Sequence, residues 1–443
     1  MLLFGAPAAH GAIGDAPIVG DEPAPGSLAL ARPGAAAPKF ASAGDWPGVL
    51  RAAHDLQSDI ARVTGTAPAF ATDLTASAAD AVIVGTVGRS ALIDGLVAGG
   101  RIDVREIRGK WESFLLQVVD NPAPGIARAL VIAGSDKRGT IYGTYELSEQ
   151  IGVSPWYWWA DVPVRRRGSL YVPPLRHVEG EPAVKYRGIF LNDEAPALSG
   201  WAKERFGGFS HAFYAKVFEL LLRLRANYLW PAMWDNAFNE DDTENPRLAD
   251  EYGIVMGTSH HEPMLRAQKE WKRHGSRAWN FADNAPELTQ FWTAGIRRNR
   301  DFESVVTIGM RGDGDIPMSQ QSNVDLLQRI IGVQRGVLAR EMNPDVARVP
   351  QLWALYKEVQ DYFEKGMRVP DDVTLLWCDD NWGNIRRLRT EAERRRPGGL
   401  ASIIISTSWE ARAPTSGSTP IPWRRSGSRC TSRRNVTPNA SGS

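Results

Sequence analysis

The chain has 443 residues, which is long enough for two or more domains that each bury a hydrophobic core. Its formal net charge is +1, so bulk charge indicates neither a nucleic-acid-binding protein nor a membrane-surface protein. Two cysteines are too few for a disulfide framework or a cysteine-based zinc cluster. No apolar run approaches the roughly 20 residues of a membrane-spanning helix.

Residues 1–40 are rich in Ala, Gly and Pro and show no helical or strand periodicity, so we expect a loose, disordered leader. The first seven residues are apolar but lack the basic start and the long apolar core of a signal peptide. They are compatible with the remnant of a signal peptide or with a plain disordered end.

Residues 41–175 read as a small α/β domain. Helical patterns span Val49–Val63 and Thr140–Ile151, and strand patterns begin at Ala81, Phe114 and Ala129. The last of these strands leads into a turn at residues 135–139. Such a turn, just before a helix, leaves backbone N–H groups available to an anion, although Lys137 in it equally suits a solvated turn.

From residue 176 to residue 398 the pattern alternates between buried strands and helices, which predicts the first five strands of a parallel (β/α) barrel, here incomplete. The predicted strands are Tyr186–Leu191, Asn227–Met233, Gly253–Gly257, a run from Val305 to Met310, and Val373–Cys378. The predicted helices are Phe213–Leu224, Asn323–Met342 and Leu352–Met367.

Each predicted barrel strand ends in a group of polar or aromatic residues. In chain order these groups are Asn192, Asp193 and Glu194; Trp234, Asp235 and Asn236; His260, His261 and Glu262; Arg311, Asp313 and Asp315; and Asp379, Asp380 and Asn381. One such group indicates no more than ordinary loop polarity. Five in succession predict an active site, because parallel barrels place their catalytic residues at the carboxyl ends of the strands.

Several of these motifs together resemble glycoside hydrolase family 115, the xylan α-1,2-glucuronidases. They are the Asn192–Glu194 motif, Trp230–Trp234, His260–Pro263, Met310–Asp315 and Asp379–Asn381, with Ser135–Gly143 and Ser154–Pro163 in the first domain. The resemblance covers about Asp45 to Gly399. It implies removal of (4-O-methyl)glucuronic acid from xylan with inversion, and no cofactor or metal.

The resemblance also implies roles for individual residues. Asp315 and Glu358 match the family's catalytic carboxylates, and we assign Asp315 as the acid and Glu358 as the base. Arg311 suits a bidentate pair with a carboxylate, and a salt bridge to Asp313 or Asp315 is compatible with this. The predicted substrate-binding residues are Lys137, Asn192, Trp234, His260, Glu262, Arg311, Asp379, Asp380 and Asn381. Without the resemblance, each reads as an ordinary loop residue, and Glu358 as a charge on a helix surface.

The expected partner is glucuronoxylan or its oligosaccharides, with no nucleic acid and no membrane. Family members are secreted or periplasmic, and full-length relatives can dimerise through C-terminal domains. From about residue 399 the sequence departs from the family. Ile404–Thr407 and Arg412–Gly417 match family codons read one nucleotide out of register. We therefore expect a frameshift near residues 399–401, a non-native tail over 399–443, and little or no activity.

Two other functions fit the same residues. His260, Glu262, Asp313 and Asp379 have side chains that could bind a divalent ion in a metal-dependent sugar lyase or isomerase. Alternatively, the chain binds acidic xylan without turning it over.

Overall fold

The computed structural model describes residues 17–74, 77–193, 195–232, 234–318, 323–378, 387 and 390–403. The fold is mixed α/β, as the sequence predicted, with two units that follow one another along the chain. Within these residues, no helix combines the length and the apolar character needed to cross a bilayer.

The first unit extends to residue 179. Its strands are β1 (Leu28–Arg32), β2 (Ala35–Ala36), β3 (Lys39–Ala41), β4 (Phe70–Ala71), β5 (Ala78–Thr86), β6 (Phe114–Ala123), β7 (Ile126–Gly134), β8 (Leu170–Val172) and β9 (Arg176–Glu179). Its helices are α1 (Pro47–Thr64), α2 (Ala91–Ala98) and α3 (Lys137–Gln150).

A six-stranded sheet in the order β4-β3-β5-β7-β6-β9 forms the centre of this unit. Alternate residues of β5 face opposite sides, as in any strand. Val82 and Val84 pack in the cluster that contains Leu56 of α1, whereas Ile83 packs with Ile93 of α2. The sheet is therefore covered by helices on both faces.

The stretch from Leu28 to Ala41 corrects one prediction. It forms β1, β2 and β3, and β1 pairs antiparallel with β8. Leu28 and Leu30 are completely buried. The expectation of a disordered leader is wrong here, because short strands paired with distant segments leave no local periodicity in an Ala- and Gly-rich sequence.

The second unit follows from residue 188. Its strands are β10 (Gly188–Phe190), β11 (Tyr228–Trp230), β12 (Val255–Met256), β13 (Val306–Thr307), β14 (Gln351–Leu355), β15 (Thr374–Cys378) and β16 (Leu400–Ile403). Its helices are α4 (Ala197–Phe206), α5 (His211–Arg223), α6 (Phe238–Asp241), α7 (Glu244–Tyr252), α8 (Gln268–His274), α9 (Phe281–Asn299), α10 (Val324–Glu341), α11 (Glu358–Glu364) and α12 (Glu391–Arg394). Single 3-10 turns lie at Pro263–Leu265 and Val346–Arg348.

The strands of the second unit run parallel and in chain order. β10, β11 and β12 form one sheet, and β13, β14, β15 and β16 form another. An isolated parallel bridge between Met256 and Ser304 joins the two, and Met256 accepts a 3.0 Å hydrogen bond from the backbone N–H of Val305. The carboxyl ends of these strands consequently lie along one edge of the array.

β14 corrects a second prediction, since a helix was expected over Leu352–Met367. Leu352 and Ala354 pack in one buried cluster, and Trp353 and Leu355 pack in another on the opposite face. A strand buried on both faces reads as a continuous apolar run, which periodicity alone does not distinguish from a buried helix. Only α11, the later part of the predicted helix, is helical.

The last described strand, β16, pairs with β15 in parallel. Its residues, Leu400–Ile403, belong to the segment that we assigned to a non-native tail. The remainder of that segment, residues 404–443, lies outside the described residues.

Arg138 of α3 links the two units. Its guanidinium donates to Glu112 of the first unit at 2.6 Å, and to Glu303 at 2.6 and 3.1 Å and the Gly253 carbonyl at 3.0 Å in the second. The Glu112 side chain is inaccessible to solvent.

We expect Arg138→Met to lower the free energy of unfolding by about 3 kcal/mol, because the buried Glu112 carboxylate loses a counter-charge. Urea denaturation checks this, with Arg105→Met, at an exposed arginine of the same unit, as the control. Equal stability of the two variants would contradict the assignment.

Candidate active site

Five neighbouring parallel strands supply the residues of the candidate site. Asp193 follows β10, Trp234 follows β11, His260 and His261 follow β12, Arg311 and Asp315 follow β13, and Tyr356, Lys357 and Glu358 follow β14. The sequence predicted this convergence for the groups after β10 to β13, since side chains beyond the carboxyl ends of adjacent parallel strands meet at one edge.

Arg311 lies between the two predicted catalytic carboxylates. Its Nε and Nη2 atoms donate to the two carboxylate oxygens of Glu358 at 2.9 and 2.7 Å. Its Nη1 donates to Asp315 Oδ1 and, at 2.6 Å, to the Asp315 carbonyl. The guanidinium is only 2% exposed. Asp315 and Glu358 are therefore held on two sides of one buried cation, and this burial gives a sugar carboxylate little access to Arg311.

Two histidines pack against Asp315. His260 Nε2 is 2.9 Å from Asp315 Oδ1, and His261 Nδ1 is 3.8 Å from the same oxygen and 3.2 Å from Ser259 Oγ. Burial, reinforced by nearby positive charge, lowers the pKa of His260 to about 3 and that of His261 to about 2. Near neutral pH both rings are uncharged and act as hydrogen-bonding groups.

Trp234 is the exposed aromatic surface of the site. Its side chain is 43% exposed and stacks on His261, with ring centroids 5.2 Å apart and planes 29° apart. Its backbone N–H donates to Asp193 Oδ1 at 3.2 Å, and Asp193 Oδ2 accepts from Asn236. Asp193 is buried and fixes this loop, whereas its neighbour Asn192, which we predicted to bind sugar, is exposed.

Glu262 supports the site from below and is not positioned to contact a sugar. It is completely buried; Oε1 accepts from the backbone N–H of Gln268 at 3.0 Å, and Oε2 has no hydrogen-bond partner among the described residues. The Gln268 side chain in turn bonds Gly312 and Gly314, in the loop that carries Asp315. The predicted substrate-binding role is corrected to support of this loop.

Burial raises the pKa of Glu262 well above its ordinary value of 4.5. From about pH 4.5 up to that raised pKa, the folded protein binds more protons than the unfolded chain, so the free energy of unfolding falls as pH rises. We expect Glu262→Gln to remove this slope, so that its stability relative to the natural protein improves by about 1–3 kcal/mol between pH 4 and pH 8. Thermal or urea unfolding at both pH values measures it, with the exposed Glu204→Gln as the control.

Lys137 is not brought to this cluster. Its Nζ donates to the Asp250 carbonyl of α7 at 2.5 Å and lies 5.4 Å from the Trp46 ring. Because α7 precedes β12, these contacts lie at the amino end of the strands, opposite the site. The helix start is also capped internally, since Asp136 accepts from the Gly139 N–H at 2.8 Å.

The predicted site residues Asp379, Asp380 and Asn381 lie outside the described residues. Sequence reasoning did not assign roles to His261, Tyr356 or Lys357. His261 could have been found from its place in the motif after β12. Tyr356 and Lys357 were not recognised as site residues, because the segment from Leu352 to Met367 was predicted to be a helix.

Three of the described side chains also have the chemistry of a metal site. One ligand atom from each of His260, His261 and Asp315 lies within 4.8 Å of the other two. Neutral imidazole and carboxylate suit Zn²⁺ and similar ions. The Arg311 guanidinium bonded to the same Asp315 oxygen opposes a second positive charge there.

A family model described as glycosyl hydrolase family 115 matches residues 179–402, which is half of the chain and contains the cluster. The chain belongs to glycosyl hydrolase family 115. This confirms the resemblance drawn from the sequence motifs. No curated protein sequence matches this family 115 chain.

Among solved structures, this family 115 chain is similar to a family GH115 4-O-methyl-alpha-glucuronidase with specificity for decorated arabinogalactans. The TM-score is 0.75 at 37% sequence identity, covering 85% of this chain and 49% of that chain. The chain thus spans about half the length of that relative. A GH20 beta-N-acetylhexosaminidase from Streptomyces coelicolor A3(2) matches with a TM-score of 0.46 and 10% identity, covering 85% of this chain and 72% of that one.

Proposed function

We propose that this protein is an α-glucuronidase that releases (4-O-methyl)glucuronic acid from a decorated polysaccharide by an inverting, two-carboxylate mechanism. One observation carries the proposal: Asp315 and Glu358 are held on two sides of the buried Arg311 guanidinium, at the carboxyl ends of neighbouring parallel strands. Membership of family 115 and the glucuronidase relative support the same chemistry.

The contacts of the two carboxylates differ in a way that suits different roles. Both oxygens of Glu358 accept hydrogen bonds from Arg311, which stabilises the ionised form that a general base requires. At Asp315, Oδ1 is shared by Arg311 and His260, whereas Oδ2 has Lys357 Nζ at 3.9 Å. Oδ2 is therefore the atom that can carry a proton towards the glycosidic oxygen.

The reaction proceeds as a single displacement. Glu358 accepts a proton from water as the water oxygen bonds to the anomeric carbon, and Asp315 donates a proton to the leaving oxygen as the glycosidic bond breaks. Inverting enzymes keep their two carboxyl groups roughly 6.5–9.5 Å apart to leave room for the water.

We also propose that the parallel array from β10 to β16 is the greater part of a (β/α)8 barrel. The chain order of its strands, their single direction and the helices between them support this. The clustering of polar residues at the carboxyl edge is the arrangement that this architecture uses for catalysis.

The polysaccharide is proposed to be glucuronoxylan, as the sequence motifs imply. The solved relative acts on decorated arabinogalactans, which makes these the competing substrate. Such polymers do not cross membranes, so we propose that the protein acts outside the cytoplasm.

Incubation of the purified protein with glucuronoxylan and with arabinogalactan, followed by detection of released uronic acid, tests the function. We expect release, slower than that by a full-length family member, with the α-linked substrate giving the β-anomer in early proton NMR spectra. An α-anomer product would exclude inversion. Binding without release would favour a non-catalytic acidic-glycan binder.

The alternative of a metal-dependent sugar lyase or isomerase draws support from the grouping of His260, His261 and Asp315. A chelator distinguishes the two functions. We expect uronic acid release to be unchanged by EDTA, because the two carboxylates complete the chemistry. Loss of activity in EDTA that is restored by Zn²⁺ would favour the metal-dependent function.

A further inference from the structure

A uronic sugar brings its own carboxylate into the site, and that charge needs a cationic partner when water is displaced. Arg311 is the first candidate, but its guanidinium already donates to Glu358 and Asp315. Replacing either contact would disrupt the pair of catalytic carboxylates. Arg311, which is also only 2% exposed, is therefore poorly placed to bind the substrate carboxylate.

The two histidines of the cluster are also poorly placed to bind the substrate carboxylate, because their side chains are only 12% and 3% exposed and each has a ring nitrogen facing Asp315 Oδ1, at 2.9 and 3.8 Å. Lys357 remains. Its side chain is 47% exposed, unlike that of Arg311, and its Nζ lies 3.9 Å from Asp315 Oδ2, beyond hydrogen-bonding distance. Among the described residues, no acceptor lies within hydrogen-bonding distance of the ammonium group, so its donors face the edge of the catalytic pair.

The backbone at Lys357 shows how this side chain is presented. Its φ is 51° and its ψ is −125°, a conformation that a residue with a long side chain rarely adopts. The turn occurs between β14 and α11, directly before Glu358. Such strain persists only where the surrounding structure holds it, and it is concentrated at functional sites.

A neighbouring aromatic ring further restricts the ammonium group. Lys357 Nζ lies 4.8 Å from the centre of the Tyr356 ring. The same ring packs edge-on against the His260 ring, with the two ring centroids 4.5 Å apart. The cation–π contact favours the charged form over the ring and limits the rotamers of the lysine. The charge is consequently held on the side of the site that contains Asp315.

We propose that Lys357 binds the carboxylate of the uronic sugar and makes the site selective for uronides over neutral sugars. This inference rests on the proposed function, because it identifies the group that recognises the substrate in that same site. A neutral sugar would give the ammonium beside Asp315 no carboxylate from the substrate, whereas a uronate completes a charge-assisted hydrogen bond.

The test compares binding of glucuronic acid with binding of its methyl ester by isothermal titration calorimetry. The ester lacks the negative charge of the acid and carries one additional methyl group on the carboxyl oxygen. We expect the natural protein to prefer the acid by about 10- to 100-fold, the range of a hydrogen bond to a charged group. In Lys357→Met, the ratio of the affinity for the acid to the affinity for the ester should fall close to one. In Lys357→Arg, part of the preference for the acid should be retained.

Lys365→Met is the matched control, since Lys365 is an exposed lysine at the end of the same helix. It should keep the full preference. Unfolding midpoints of all variants show whether the fold is retained. If Lys357→Met weakens both sugars equally, or if the natural protein has no preference for the acid, the inference is overturned.

Uronic acid release is measured in parallel. Acid preference that depends on Lys357, without release from any polysaccharide, would refute the proposed function and retain this inference. If uronic acid is released from a polysaccharide but Lys357→Met still prefers the acid over its ester, the proposed function stands and this inference is refuted.

Discussion

Asp315→Asn is expected to slow release of glucuronic acid from glucuronoxylan by about 10²–10⁴-fold and to spare a substrate with a good leaving group. An amide cannot donate the proton that a sugar leaving group requires. Fluoride leaves without that proton, so α-glucuronosyl fluoride should be hydrolysed at a rate within a few fold of the natural protein. Steady-state rates on the two substrates measure the effect.

The neighbouring Asp313→Asn provides the control for this prediction. Asp313 lies in the same loop, is exposed, and has no contact with Arg311 among the described residues. It should leave both rates unchanged. If Asp315→Asn slows the fluoride as much as the polysaccharide, Asp315 is not the general acid.

Glu358→Gln should abolish turnover of both substrates, with a loss of about 10²–10⁴-fold in kcat. The attacking water needs a base whatever the leaving group is, and a neutral amide does not accept its proton. Azide attacks without deprotonation, so adding azide should restore consumption of the fluoride with formation of a glycosyl azide. Product analysis by mass spectrometry detects it.

The same change also removes one acceptor of the bidentate pair with Arg311, so stability has to be measured beside activity. Glu364→Gln, at the far end of α11 and exposed, is the matched control. Full activity of Glu358→Gln on polysaccharide would rule out Glu358 as the base. If Glu358→Gln loses activity on the polysaccharide but hydrolyses the fluoride normally, Glu358 is the acid and Asp315 is the base.

The family motifs and the positions of most strands were predictable from the sequence. Strands β10 to β13 and β15 are short apolar runs with polar residues directly after them, and that order places the polar residues at one edge whatever the details of packing. The pairing of Arg311 with Asp315 was also foreseeable, because both lie in one glycine-containing loop. These features are local, so the consecutive residues of one segment are enough to predict them.

The contacts that assemble the site were not predictable in this way. Glu358 reads as a surface charge because its partner, Arg311, is 47 residues away. Lys137 lies in a turn suited to anions, yet it contacts the opposite end of the strands. Glu262 belongs to a site motif, but burial makes it a support for the loop that carries Asp315.

By itself, the sequence determined which segments are strands ending in reactive side chains, and through its motifs the family to which the chain belongs. Only the tertiary structure decided that β14 is a strand, that Arg311 joins Asp315 and Glu358, and that Lys357 lies half-exposed beside them. The physical reason is that hydrophobic periodicity reports how one segment meets a core, whereas a charge acquires its role from the groups that surround it after folding.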